Sequence, residues 1–298
     1  MTGTVPACFE QFDERFRDCR GDRRMEVLHT GCRWTEGPAY FPAGRYLLFS
    51  DIPNDRLLRW DETTGVVGVF RQPARYANGH SVDRRGRLIS CEHGARQVTR
   101  DEPDGSCTVL ASRYQGKRLN SPNDVVERAD GSIWFTDPTY GIRSDYEGHQ
   151  ADSEIGASHV YRIGAGAQLR IAADDFTQPN GLAFAPDEWR LYISDSEERH
   201  IRVFGVTRDG RLTGGDVFAR CGAGTFDGLR VDSAGRVWAA AGDGLHCFHP
   251  DGTLLGKLLV PETVANLSFG GAQRNHVFIC ATTSVYALRV TVTGARYP

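Results

Sequence analysis

The hydrophobic residues of this 298-residue chain follow the two-residue period of β-strands, and the three-and-four spacing of helices is scarce. The 34 Gly and 13 Pro residues interrupt the apolar runs, so long helices are not expected. One pattern recurs, in which a turn leads into two or three apolar or aromatic residues and then a small residue, often followed by Asp. It occurs at 43–51, 85–91, 130–137, 188–195, 234–241 and 274–281.

The six copies of this pattern are spaced like the blades of a propeller. Their last residues are separated by intervals of 40, 46, 58, 46 and 40 residues. A period in the forties with several strands per unit is typical of a propeller blade. A second strand-like run follows each copy, at 56–61, 96–101, 159–163, 200–206, 245–252 and 284–290. We therefore predict an all-β fold, a six-bladed β-propeller with four-stranded antiparallel blades.

The repeats also predict the domain organisation. Residues 24–298 form the propeller and residues 1–23 an N-terminal extension. The strand-like run 24–31 is expected to pair into the last blade and close the ring, since an open propeller would expose strand edges. The longest interval contains the polar segment 141–158, which lacks strand alternation and predicts a loop over one face.

Composition and charge narrow the functional classes. Hydrophobic residues make up 40% of the chain and charged residues 24%, as in ordinary globular proteins. The formal net charge of −3 and the scattered basic residues predict no nucleic-acid partner and no membrane partner. No run approaches the ~20 apolar residues of a membrane span, and the charged start is unlike a secretory signal. A small-molecule partner and a monomer or small homo-oligomer are expected.

The cysteines bear on the cellular compartment. All eight lie outside C-x-x-C pairs and metal-finger spacings. Buried free thiols are therefore expected, and these are typical of a reducing compartment. We predict a cytoplasmic protein.

An oxygen-bearing residue stands 13 to 15 residues before the end of each repeat, usually followed by Gly. The six are Glu36, Asn78, Asn123, Asn180, Asp227 and Asn266. Because rotation relates equivalent positions of successive blades, these side chains are expected to form a ring around the axis. Carboxylate and amide oxygens are ligands of hard divalent cations, and two buried carboxylates without a cation would repel each other. Asn-Gly and Asp-Gly pairs also form turns, but a turn gives Glu36 no advantage, which favours a site.

Several segments resemble a known family. They are WTEGPAYF…LLFSDI, LNSPNDVV…DGSIWFTDPTYG, QPNGLAF…LYISDS and FDGLRVD…GRVWAA. From about Met25 to the C-terminus the chain resembles the gluconolactonase/regucalcin (senescence marker protein) family of six-bladed propellers, in its bacterial gluconolactonase branch. The resemblance implies that Glu36, Asn180 and Asp227 bind one divalent metal ion, and that Asn123 lies at the metal and contacts substrate. It also implies lactone hydrolysis, although some relatives cleave phosphotriesters.

One departure from the family pattern concerns substrate orientation. Animal members carry an Arg two residues before the Asn that matches Asn123, and Ser121 stands there in this chain. The sugar preference of those members is therefore not transferred.

The hypothesis for the chemistry is metal-assisted attack of water on a sugar lactone. Asp227 is the candidate base, because a carboxylate accepts a proton from water where an amide does not. Glu36 is assigned to ion binding alone. Oxygen-only ligands favour Ca²⁺, while Zn²⁺, Mn²⁺, Mg²⁺ and Fe²⁺ also occupy carboxylate-containing sites.

Three further residues are candidates for substrate binding. His80 follows the ring position of the second blade, and Tyr140 and Arg143 begin the insertion and are placed to cover a polyhydroxylated substrate. A structural histidine and a solvated loop are the competing interpretations. His93, just after the second repeat, is open to the same two interpretations as His80.

Two other functions stay open at this stage. One is a phosphotriesterase-like hydrolase on the same site, and the other is a non-catalytic calcium-binding or interaction propeller. A binding module has no need for carboxylates on its axis, which favours the enzyme. The chain contains no G-x-S-x-G elbow, H-E-x-x-H motif or Walker loop.

Overall fold

The computed structural model of the protein describes residues 3–164 and 166–295. The chain begins with three strands, β1 (Thr4–Pro6), β2 (Cys8–Gln11) and β3 (Arg24–Thr30), and a 3₁₀ helix at Glu14–Cys19 lies between the last two. A second 3₁₀ turn spans Ile52–Asn54. Within the described ranges, no helix is long and apolar enough to cross a membrane.

Six antiparallel sheets follow in chain order as the blades of a propeller, which confirms the predicted fold. Blade 1 contains β4 (Thr35–Phe41), β5 (Tyr46–Asp51), β6 (Arg56–Asp61) and β7 (Val67–Arg71). Blade 2 contains β8 (Ala77–Val82), β9 (Leu88–Glu92), β10 (Gln97–Asp101) and β11 (Cys107–Ala111). The small hairpin of β12 (Arg113–Tyr114) and β13 (Lys117–Arg118) leads to the third blade.

Blade 3 contains β14 (Val125–Glu127), β15 (Ile133–Asp137), β16 (Ser158–Ile163) and β17 (Leu169–Phe176), with the one-turn helix α1 (Tyr140–Arg143) after β15. Blade 4 contains β18 (Pro179–Phe184), β19 (Arg190–Asp195), β20 (His200–Val206) and β21 (Leu212–Arg220). Blade 5 contains β22 (Leu229–Val231), β23 (Val237–Ala241), β24 (Gly244–Phe248) and β25 (Leu254–Leu259). Blade 6 contains β26 (Val264–Gly270), β27 (His276–Ala281) and β28 (Ser284–Arg289).

The repeated apolar run of the sequence forms the second strand of every blade. These strands are buried along almost their whole length, as β9, β15 and β23 show, because a neighbouring blade covers each face. The outermost strands, such as β7, remain largely exposed. The gradient from buried inner strands to exposed outer strands explains why the second strand carries the strongest apolar signal.

The hydrophobic core consists of six layers, one between each pair of adjacent blades. Ile89 of blade 2, for example, packs in one layer with Phe135 of blade 3, and Trp134 of blade 3 packs in the next layer with Leu191 of blade 4. The remaining layers join blades 4 and 5, 5 and 6, 6 and 1, and 1 and 2. Each blade therefore depends on its neighbours to bury its apolar side chains.

Both ends of the chain contribute to blade 6, and this closes the ring. Strand β3 pairs antiparallel with β28, with His29 opposite Val285, which confirms the closure expected from the run 24–31. The innermost strand β26 in turn contacts β4 of blade 1.

The segment before Arg24, predicted as an extension, adds strands to two blades. Strand β1 pairs with β3 at the edge of blade 6, and β2 pairs with β25 at the edge of blade 5. In the segment between β2 and β3, Phe16 is fully buried beside Trp238. Both blades therefore carry a fifth strand.

The predicted insertion crosses one face of the propeller as a loop. After α1 it contains no further strand until β16 begins at Ser158. Two backbone hydrogen bonds fold the loop back on α1, from His149 N to Gly141 O (3.1 Å) and from Ala151 N to Ile142 O (3.0 Å). The loop is thus packed against the end of the axis where the innermost strands begin.

Candidate active site

The six ring residues lie at the start of the innermost strands, as the repeat arithmetic predicts. Four are within β4, β8, β18 and β26, and the other two, Asn123 and Asp227, lie two residues before the first residues of β14 and β22. The innermost strands of successive blades contact one another in order around the axis. The Asn-Gly and Asp-Gly pairs therefore belong to inner strands and not to hairpin turns.

A local irregularity of the sheet turns these side chains towards the axis. The pairing of the first two strands shifts register at the ring position in blades 1, 2, 4 and 6, between Glu36 and Ala39 in the first case. Bulges of this kind redirect a side chain and are frequent near active sites. In blade 3, a hydrogen bond from Asn123 N to Thr136 O (2.9 Å) fixes the backbone instead.

The Gly after the ring residue allows adjacent blades to approach closely. A Cβ atom at Gly37 would lie 2.0 Å from the backbone oxygen of Asn78, and one at Gly79 would lie 2.3 Å from that of Asn123. Gly181 and Gly228 are similarly tight against the next blade. These glycines bring the oxygen-bearing side chains together at the axis.

Glu36 is a buried carboxyl group, with 3% of its surface exposed. Its Oε2 accepts hydrogen bonds from Asn266 Nδ2 (3.0 Å) and from the Gly37 backbone N. Burial and the nearby Asp124 carboxylate raise the pKa of Glu36 to about 8. The ionised form is thus disfavoured unless a positive charge is present.

Asp227 is the second acid of the ring. Burial and the carboxylates of Glu36, Glu147 and Asp124, in that order, raise its pKa well above the usual range, while a hydrogen bond with Asn180 opposes the shift. Because Glu36 and Asp227 act on each other, the pair does not hold two negative charges without a compensating cation.

Asn180 is oriented by a chain of hydrogen bonds. Its Nδ2 donates to Ser196 Oγ (3.1 Å), and Ser196 Oγ donates to the backbone oxygen of Phe226 (2.7 Å). Tyr140 also hydrogen-bonds to Ser196 and lies close enough for the Asp227 charge to act on it. Burial raises the pKa of Tyr140 to about 12, so its hydroxyl stays protonated at neutral pH.

A histidine connects the ring to the insertion. His93 Nδ1 lies 3.2 Å from the backbone oxygen of Glu147, which only accepts, so this nitrogen carries the proton. The neutral ring then accepts from Asn78 Nδ2 through Nε2 (3.0 Å), and burial keeps it neutral by lowering the pKa of His93 to about 4. Asn78 Oδ1 is left buried without a hydrogen-bond partner among the described residues.

The donor set of the ring fits a hard divalent cation. It combines the carboxyl groups of Glu36 and Asp227, the amide of Asn180 with its nitrogen already engaged, and the further amides of Asn123 and of Asn78, whose Oδ1 has no partner among the described residues. Across residues 3–164 and 166–295, no cluster of three or more His, Cys, Asp or Glu side chains forms a metal site. Amide oxygens must therefore contribute to any site on the axis.

The predicted substrate residues fall in different places. Tyr140 adjoins the ring through Ser196, and Arg143 is exposed above it, with its guanidinium 4.9 Å from the Tyr140 ring centre. His80 points elsewhere, because its two ring nitrogens lie 2.8 Å from Ser50 Oγ and 2.8 Å from Ser90 Oγ. The structure therefore does not bring His80 to the Asp227 side of the ring.

Ser121 was noted in the sequence only as a departure from the family pattern, and Glu147 and Ser196 were not singled out. Ser121 Oγ donates to Pro138 O (2.7 Å) and accepts from Gly141 N (3.0 Å), so it anchors the start of the insertion. Glu147 brings a third carboxylate towards Asp227, and Ser196 positions Asn180. The repeat 188–195 ends directly before Ser196, and this is the sequence signal that could have drawn attention to it.

The fold and the ring define a six-bladed propeller with an acidic, amide-lined site at one end of its axis. Residues 34–283 match the family described as SMP-30/Gluconolactonase/LRE-like region, and the chain belongs to this family. It is 30% identical over 297 residues to a gluconolactonase from Zymomonas mobilis, covering 91% of this chain and 82% of the relative.

Solved structures agree in fold. A gluconolactonase from Xanthomonas campestris is 39% identical, with a TM-score of 0.90 over 97% of this chain and 98% of the other. A regucalcin from Agrobacterium tumefaciens, described as a calcium-binding protein, is 20% identical, with a TM-score of 0.77 over 91% of this chain and 95% of the other. The second likeness concerns the fold alone.

Proposed function

We propose that this protein is a metal-dependent lactonase that opens a small sugar lactone by attack of water. The observation that carries the proposal is the axial ring itself, in which the carboxyl groups of Glu36 and Asp227 lie close enough to repel each other among four amides. The similarity to two gluconolactonases, at 30% and 39% identity over most of the chain, supports the lactone as substrate.

Four ring residues are proposed to hold the metal ion, namely Glu36, Asn123, Asn180 and Asp227. Two carboxylates balance the charge of one divalent cation, and oxygen-only donors favour Ca²⁺. A bound ion of this kind polarises a carbonyl and lowers the pKa of water. Ser196 fixes the Asn180 amide so that its oxygen remains available to the ring.

Asp227 is proposed as the base that takes the proton from the attacking water. It differs from Glu36 in keeping part of its surface exposed, so water and substrate reach it. Glu36 is enclosed by Asn266 and Gly37 and is assigned to metal binding alone. Glu36 is thus the buried acid of the pair, and Asp227 is the acid with the surface exposure that a general base requires.

The insertion is proposed to cover the substrate. Tyr140 forms a wall beside Ser196, and Arg143 extends over Tyr140 towards solvent. Asn123, with its backbone held by Gly79 and Thr136, is placed to hydrogen-bond a sugar hydroxyl. These groups suit a polyhydroxylated lactone ring.

The decisive experiment removes the metal with chelator and measures acid release from a panel of aldonolactones as each divalent ion is added back. Hydrolysis is expected only with metal. Asp227→Asn is expected to lower kcat by at least about a hundredfold even at metal concentrations that saturate the site, and Glu36→Gln to lose metal affinity. Glu92→Gln, a buried carboxyl outside the ring that binds Arg75, serves as the control.

Each result bears on a different part of the proposal. Metal binding through these residues without opening of any lactone would overturn the substrate and direct the panel to phosphotriesters. Failure of calorimetry to detect metal binding would overturn the site itself.

The compartment is proposed from the cysteines. All eight are free thiols, including the fully buried Cys91 and Cys280. Unpaired thiols support a reducing, cytoplasmic environment.

A further inference from the structure

A cavity lies on the axis beyond the ring, further along the innermost strands. It has a volume of about 130 Å³ and is lined by all six innermost strands, at positions two or more residues after the ring residue. Its apolar wall includes Val82, Val125, Leu182, Val231 and Phe269. We call it the lower cavity.

Two guanidinium groups line the lower cavity, those of Arg230 and Arg274, and no Asp or Glu is among the described residues that line it. Arg230 Nη1 is paired with Asp124 Oδ2 at 3.0 Å. Arg274 forms no ion pair within 4.0 Å in the described part of the chain, and its Nη1 is buried without a hydrogen-bond partner. The lining therefore carries an uncompensated positive charge.

A second polar side chain that lines the lower cavity also lacks a hydrogen-bond partner among the described residues. Ser268 has 8% of its surface exposed and lines the lower cavity, and its Oγ has no hydrogen-bond partner among the described residues. Buried polar groups normally have partners, so unpaired donors in one cavity point to a missing acceptor. An anion in the cavity would supply an acceptor for Arg274, and the Ser268 hydroxyl lines the same cavity.

The lower cavity is separate from the candidate active site. None of the six ring residues is among the described residues that line the cavity, and its lining begins at least two residues further along each innermost strand, where His80 and Arg230 form part of the wall. A ligand in the lower cavity would therefore not compete sterically with a substrate at Asp227.

We propose that the lower cavity is a binding site for a small carboxylate with an apolar body, held by Arg274. Guanidinium and carboxylate form charge-assisted, often bidentate hydrogen bonds, which supplies the orientation. The apolar wall accepts a compact hydrocarbon or aryl group. The volume is below the ~300–1,000 Å³ of sites for drug-sized molecules, which limits the ligand to a short-chain or single-ring acid.

The same wall discriminates against sugar acids. A polyhydroxylated carboxylate, the product class of a lactonase, would leave several hydroxyls without partners against Val, Leu and Phe side chains. Benzoate is therefore expected to bind and gluconate is not, which makes this site distinct from a product site.

The test begins with crystals soaked in 4-bromobenzoate, because the anomalous signal of bromine locates the ligand directly. Bromine is expected in the lower cavity with the carboxylate against Arg274. Isothermal titration of the chelator-treated protein with benzoate then measures affinity where no metal at the ring can attract the carboxylate. Arg274→Gln is expected to weaken binding at least tenfold, since it removes a charged partner.

Three controls decide the outcome. Arg211→Gln alters an arginine that is 81% exposed at the surface and is expected to leave binding unchanged. Benzamide, which has the same ring without the charge, is expected to bind at least tenfold more weakly than benzoate. Bromine located only at the ring, equal binding of benzamide, or unchanged binding by Arg274→Gln would each overturn the proposal.

Discussion

At the scale of single residues, the chemistry of the ring depends on which positions carry an acid and which an amide. Glu36 and Asp227 are acids, and their neighbour Asn266 is an amide that donates to Glu36. A third carboxyl group, at position 266, would further repel Glu36 and Asp227, whose pKa values are already raised. Two acids among six positions therefore match the charge of one divalent ion.

Metal-free protein is expected to lose stability as the pH rises. The pKa of Glu36 is about 8 in the folded state, against an ordinary value of 4.5. The folded state thus binds more protons than the unfolded state between these values, so the free energy of unfolding falls as the pH rises through this window. Thermal unfolding of the chelator-treated protein from about pH 5 to about pH 8 measures the effect.

Glu36→Gln should flatten this fall, because an amide does not titrate. Glu92→Gln serves as the control for removing a buried carboxyl group outside the ring. Saturating Ca²⁺ should reduce the fall in the wild type, because the ion binds deprotonated carboxylates. Parallel slopes for wild type and Glu36→Gln would refute the assignment of the repulsion to this residue.

At the scale of secondary-structure elements, the innermost strands hold the ring by close contact between their backbones. Gly79→Ala is expected to destabilise the protein by about 1–3 kcal/mol or more, because the new Cβ would lie 2.3 Å from Asn123 O and 2.7 Å from Asp124 Cα. Both atoms belong to the backbone that leads into β14, so neither gives way easily. Urea unfolding measures the loss.

Gly68→Ala is the matched control for this substitution. Gly68 also lies in a strand, β7, but a Cβ there meets nothing within 4 Å. Its effect is expected to stay within about 1 kcal/mol of the wild type. Similar stabilities for the two variants would show that the blades separate readily at the axis.

The sequence predicts the strands well where a repeated apolar pattern indicates that both faces of the strand are buried. The run 56–61 coincides with β6, and the second strands follow the apolar repeat, because burial on both faces leaves a strong signal. The ring positions were found because rotation repeats them in every blade. Strands β1 and β2 carry no such signal, since short, partly exposed edge strands have little apolar alternation.

Contacts that occur once are less predictable than contacts that repeat. The hydrogen bonds from Asn180 to Ser196 and between Asn78 and His93, and the ion pair of Asp124 with Arg230, each join residues that are distant in sequence or unique to one blade. They depend on side-chain directions set by the bulges. His80 illustrates the limit, because its place directly after Asn78-Gly79 suggests the substrate face while the strand directs it to Ser50 and Ser90.

At the scale of the whole molecule, stability depends on six similar layers and on the closure of the ring. The layer between blades 5 and 6 differs from the others because the N-terminal segment adds to it. Phe16 is fully buried in this layer, near Trp238 and against Gly256, and its neighbours on the chain pair with β25. The first 23 residues are therefore joined to the propeller by the pairing of β1 and β2 and by one fully buried aromatic side chain.

Phe16→Ala is expected to reduce the free energy of unfolding by about 3–5 kcal/mol, the usual cost of removing a buried aromatic side chain. Phe12→Ala removes the same side chain from a position that is 58% exposed and should change stability by less than about 1 kcal/mol. Urea unfolding of both variants, with hydrogen exchange of β2 and β25 alongside, distinguishes two outcomes. Loss of protection in both strands with lowered stability supports an integral role for the N-terminal segment. Wild-type stability of Phe16→Ala would mean that blades 5 and 6 hold together without it.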